Sequence, residues 1–289
     1  MSRRVQPMSR ALAGVIALLG ASAFVGPALS QTGAIKNPQV DIAYIAPRSE
    51  PYQAIYERLK MLQVLEMLQE FLAPLRLPNK LLVKTDECGG TMEIPYVPQQ
   101  PVTICYEYIR EIEANALRAP GSGTAADELT KQGIIVGTFI NLVLDQVAHA
   151  VFDMLQIPIW GHENDAADNV TALIMVEFRA DLTWTMIGGT SWFLAERGFT
   201  GDDFSKVQRG TEAQRYFNYT CIAFGSNPGK FKFLVEDGSL PQGFAQSCPG
   251  LYRKLRRSFI QTILPHIDQE LLKQVRAIDW TTRLQVKHD

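Results

Sequence analysis

Gly133 to Asp168 reads G-I-I-V-G-T-F-I-N-L-V-L-D-Q-V-A-H-A-V-F-D-M-L-Q-I-P-I-W-G-H-E-N-D-A-A-D, and its reading decides the fold. Gly133–Leu155 has the length of a membrane span, but Asp145, Gln146, His149 and Asp153 interrupt it. Several polar groups are expensive in lipid, so a buried core helix is the expected structure. Pro158 and Gly161 break the loop that follows. An acidic cluster then opens a second apolar helix over 165–182, with acids in its first turn, where the macrodipole favours them.

Outward from this pair, Ile55, Leu59, Leu62, Leu65, Leu68 and Leu72 recur at helical spacing and predict one amphipathic helix over 51–72. Pro74 and Pro78 close it. Residues 31–47 lack a period and read as an extended lead-in. The runs 81–84 and 101–106 are strand-like, and their Gly/Pro-rich connection suggests a small sheet with a hairpin as its simplest form. Residues 107–117, 191–197, 208–224, 231–236 and 251–264 read as helices, the last with a solvated basic face of Arg253, Lys254, Arg256 and Arg257. Residues 119–126, A-P-G-S-G-T-A-A, read as a flexible loop. The expected fold is α+β, mainly helical with a small β-sheet, in a single domain over 31–289.

A chain of 289 residues, 46% hydrophobic and 20% charged, has ample material for a core. Its formal charge of −2 offers no basic face and argues against a nucleic-acid partner. Arg3, Arg4 and Arg10 precede an apolar segment over 11–25, and Ala28-Leu29-Ser30 fits a cleavage site. Residues 1–30 are therefore expected to be a signal peptide, which makes the mature chain periplasmic or secreted and not an integral membrane protein. Cleavage leaves 25 basic against 30 acidic side chains, a net −5. Four cysteines, Cys88, Cys105, Cys221 and Cys248, suit an oxidising compartment. Of three pairings the local one, Cys88 with Cys105 and Cys221 with Cys248, is simplest, at about 3 kcal/mol per bridge. No C-x-x-C spacing supports a cysteine zinc site.

On a helix, positions i and i+4 share a face. Zinc peptidases use this in H-E-x-x-H, where two histidines hold the metal and the glutamate takes a proton from the bound water. A following helix supplies a third ligand, in one group the Glu of E-x-x-x-D, whose Asp supports a ligand. Here the first helix reads D-Q-V-A-H: Asp145 stands at the first His position, Gln146 at the general base, and His149 keeps its identity. The second reads E-N-D-A-A-D, so Asp168 aligns with the supporting Asp and Asn164 with the ligand. A neutral amide accepts no proton, and general-base catalysis contributes about 10²–10⁴-fold. Ser191 and Ser226 have no nearby His, which gives a serine-hydrolase reading little support. The sequons at Asn169 and Asn218 fall in expected helices.

Beyond this core, E-C-G-G and T-I-C-Y-E-Y flank the first cysteine pair, and Y-F-N-Y-T-C-I-A-F-G-S-N-P, L-V-E-D-G-S-L-P and C-P-G-L-Y follow near the end. In this order the pieces resemble a bacterial, zincin-like metallopeptidase family catalogued as a domain of unknown function. The resemblance spans about 40–267. The family pattern has H-E-x-G-H-A at 145–150 and E-D-A-A-D at 164–168, and this chain departs from it at Asp145, Gln146 and Asn164. The resemblance implies a zincin-like fold, metal-ligand positions at Asp145, His149 and Asn164, and a supporting role for Asp168. It implies zinc as cofactor, which the substitutions are expected to weaken or abolish. The expected protein is a catalytically inactive homologue, a pseudoenzyme with a binding or scaffold role toward a peptide or protein. The alternative is an active metal-dependent hydrolase that draws substitute ligands from His162 and Glu163.

Overall fold

The computed structural model describes residues 35, 37–118, 129–196 and 212–285, all within the unit Ile35–Asp289. The expected leader at 1–30 and the loop at 119–126 lie outside the described residues.

Strands β1 (Val40–Tyr44), β2 (Leu81–Asp86) and β3 (Val102–Cys105) pair in that order, all parallel. Val40 lies opposite Leu81, and Val83 opposite Val102. Two expectations are corrected. β1 occupies the stretch read as an extended lead-in, and β2 and β3 form no hairpin. A parallel pair needs a crossover of a dozen or more residues, which the connection 87–101 is long enough to supply. The Cys88–Cys105 bridge ties its start back to β3. Buried Glu107 accepts hydrogen bonds from the Cys88 and Gly90 N–H groups at 3.0 Å, so the carboxylate is compensated by backbone donors.

The single helix expected over 51–72 is two, α1 (Gln53–Met61) and α2 (Val64–Phe71), broken where Gln63 takes a φ of +53°. Leu59 and Leu65 would stand about 120° apart on one continuous helix. The break lets both reach the core and leaves Leu62 39% exposed. Tyr44 Oη accepts the Leu65 N–H at 2.7 Å, which satisfies a donor freed by the break.

Helices α3 (Tyr106–Leu117), α4 (Lys131–Met154), α5 (Glu163–Phe178), α6 (Thr183–Glu196) and α7 (Glu212–Ser226) form the helical body. Among the described residues α4 is the one helix long and apolar enough to cross a membrane, yet 78% of its apolar window is buried against protein, as a core helix requires. It packs on α3, α5 and α6. Where α4 meets α6, a Cβ at Gly137 would lie 2.2 Å from the Thr185 carbonyl oxygen, so only glycine permits the approach. Thr138 Oγ1 donates to the Gly189 carbonyl across this crossing at 3.0 Å. The second core helix ends at Phe178 rather than Leu182 because Arg179 is extended, and the helix read at 191–197 is the end of α6.

The short helices α8 (Phe233–Glu236) and α9 (Gln242–Ala245) lead to α10 (Cys248–Thr262), which the Cys221–Cys248 bridge joins to α7. Three helices were not read in the sequence, α9, α11 (Gln269–Ala277) and α12 (Trp280–Arg283). Asp268 caps α11, and its own N–H donates to the Pro74 carbonyl at 2.7 Å, which ties the C-terminal segment to the turn after α2. Trp280 packs on Phe71 and Phe178.

Candidate functional site

α4 presents Asn141, Asp145, His149 and Asp153 at four-residue intervals, one polar stripe drifting about 40° per step. Asn141, Asp145 and His149 are buried, as is Gln146 beside them. Each stripe residue meets a different part of the chain.

At the outer end Asp153 Oδ2 accepts the Tyr96 hydroxyl at 3.0 Å. Burial pushes the Tyr96 pKa up first, and the bond to Asp153, its charge and that of Glu163 push it further. His149 Nδ1 lies 2.6 Å from Glu163 Oε1 in the first turn of α5. In the tautomer that donates Nδ1–H to this carboxylate, Nε2 keeps its lone pair. Glu163, considered above as a substitute ligand, is therefore a hydrogen-bond partner of His149. His162 is exposed at the α5 N-cap position and its side chain makes no capping bond, while Asn164 is half-buried one residue into the helix.

At the inner end the charge is handled differently. Arg215 on α7 grips Asp168 on α5 with two parallel bonds, Nε to Oδ2 and Nη2 to Oδ1, both 2.9 Å. Asp168 is 2% exposed and Arg215 11%. Tyr219, one turn along α7, donates to Asp168 Oδ1 at 3.1 Å and accepts from the Asn141 amide. Burial alone would lower the Arg215 pKa. Asp168, by charge and hydrogen bonding, then Tyr219 and Asp145 more than reverse this, so the guanidinium is held well above its ordinary value. Asp145 thus stands in the field of Arg215. Gln146 Nε2 donates to Asp145 Oδ2 at 3.3 Å, and its Oε1 is buried with no hydrogen-bond partner among the described residues.

The site residues read from sequence therefore fall into two sets, His149 with Glu163 and Asp145, Gln146 and Asp168 around Arg215. Among the described residues one group of three metal-capable side chains converges, Cys88, Cys105 and Glu107, and its sulfurs are joined in a disulfide. Among the described residues no triad of His, Cys or carboxylate donors converges around His149 or Asp145. Sequence reasoning missed Asn141, Arg215 and Tyr219. Asn141 sits four residues before Asp145, and Arg215 and Tyr219 share a face of α7 at i and i+4, which is the signal that was available. The Asn169 and Asn218 side chains, both in sequons, bond each other at 2.7 Å between α5 and α7.

The profile of a family described as “putative metallopeptidase” matches residues 44–263, most of the chain, and the protein belongs to that family. No curated protein and no solved structure matches it.

Proposed function

We propose that the mature chain is an exported, catalytically silent zincin-like member of its family that keeps the polar face of α4 as a binding surface for a peptide or protein. The observation that carries this reading is the buried Arg215, a fixed cation bound to Asp168 and in the field of Asp145. A divalent ion beside Asp145 would meet that positive charge at close quarters, where low dielectric strengthens the repulsion. The remaining donors do not fit zinc. His149 offers one nitrogen, Asn164 is a neutral amide, and Gln146 at the base position accepts no proton. Export is supported by the leader-like residues 1–30 and by two formed disulfides.

The second reading is an active hydrolase with a rearranged ligand set from Asp145, His149, His162, Glu163 and Asp168. One feature favours it: a carboxylate on Nδ1 is how metal-binding histidines are oriented, and His149 has that arrangement with Glu163. A peptide-library cleavage assay on the mature chain, with and without added zinc, separates the two. No zinc-dependent product is expected, and cleavage that a chelator stops overturns the proposal.

A further inference from the structure

Behind α4, on the face adjoining the polar stripe, lies an apolar cavity of about 290 Å³. Leu144, Val147 and Val151 of α4, Leu173 and Ile174 of α5 and Phe259 of α10 line it. It opens to solvent where Ile260 is 38% exposed, and a recess of this size walled by aliphatic and aromatic side chains is a ligand site in form. A second apolar cavity, about 210 Å³, shares Phe71, Leu144 and Phe178 with the first. The Phe71 and Phe178 rings, 4.6 Å apart, stand between the two spaces.

The few polar groups of the lining are unevenly charged. Glu177, at the end of α5, accepts Arg256 Nε at 2.8 Å on its carboxylate, while its backbone carbonyl accepts Arg276 Nη2 at 2.6 Å. The lining thus carries two guanidinium groups and one carboxylate. Arg276 has no carboxylate within ion-pair distance among the described residues, so one positive charge is left over at the cavity. Arg256 belongs to the run expected to be a solvated face, and it stays 47% exposed while it pairs with Glu177, as Arg253, Lys254 and Arg257 are exposed beside it.

We infer that this cavity binds a free single-chain aliphatic carboxylate, with its tail among Val147, Leu173 and Phe259 and its head on Arg276. The excess cation selects an anionic head, and the volume, at the lower end of small-molecule sites, suits one chain rather than two. The site is independent of the polar stripe and stands whether or not the protein cleaves peptides.

The test is calorimetric titration of the full, delipidated mature chain with saturated carboxylic acids of rising length and with the matching primary alcohols. Affinity for the acids rises about fourfold per methylene, equivalent to about 0.8 kcal/mol, until the cavity is full. The alcohols bind about tenfold more weakly, because they lack the charge-assisted bond. Arg276→Gln removes this preference and leaves alcohol affinity unchanged. Ile174→Trp, which fills the cavity, abolishes binding of both; should that variant not fold, the exposed Arg276→Gln still decides. Equal affinity for acid and alcohol, no dependence on chain length, or an unaltered preference in Arg276→Gln overturns the inference.

Discussion

Arg215 and Asp168 form a bidentate ion pair, two bonds of 2.9 Å between α7 and α5, with Asp168 2% and Arg215 11% exposed. A carboxylate that buried needs compensation, and for Asp168 a cationic side chain supplies it. The pair also orders its surroundings, since Tyr219 and Asn141 extend the hydrogen bonds to α4.

Arg215→Met leaves Asp168 charged and buried without its guanidinium. The expected loss is about 3–5 kcal/mol in urea unfolding, with most of it recovered in the double variant Arg215→Met with Asp168→Leu. Loss of less than about 1 kcal/mol in the single variant contradicts the assigned role.

Gly137→Ala drives a methyl group against the Thr185 carbonyl oxygen, with α4 and α6 already in contact. Overpacking of this kind costs about 1–3 kcal/mol. The same change at Gly243, where a Cβ meets nothing within 4 Å, is expected to leave the unfolding midpoint unchanged within about 0.5 kcal/mol.

Alkaline stability follows from two tyrosines. Burial pushes Tyr106 up to about 12 against the hydrogen bond from Thr85. Burial, then the hydrogen bond to Glu177, pushes Tyr252 up to about 12. An unfolded tyrosine titrates near 10, about two units lower, so the folded chain holds these protons more tightly. Their contribution is complete below about pH 10 and is lost as pH rises from 10 to 12. The urea midpoint is expected to fall through that window, and less steeply in Tyr252→Phe.

How far the sequence carried can be judged residue by residue. The apolar run with four polar interruptions marked α4, and proximity in sequence marked both disulfides. Strand direction was not legible, because alternation in β2 and β3 is the same for a parallel or an antiparallel pair. Nor was the break at Gln63, since period alone does not say that Leu59 and Leu65 must both turn inward. The charge partner of Asp168 lies 47 positions away on a helix whose own pattern is unremarkable, and only the packing of α7 on α5 reveals it. Glu163 showed its acidity in the sequence but not its destination, the Nδ1 of His149.

Removing the Cys221–Cys248 bridge by paired Cys→Ser substitution frees α10 from α7. The expected cost is about 2–5 kcal/mol by thermal or urea unfolding. Reduction of the native protein opens the Cys88–Cys105 bridge as well and should cost at least as much, and a reduced protein of unchanged midpoint contradicts it.

The most direct measurement for the silent-peptidase reading is the zinc content of the mature chain purified without chelator. With Arg215 as the buried cation, zinc is expected well below one per chain and unaffected by His149→Ala. Stoichiometric zinc that disappears in His149→Ala contradicts the reading.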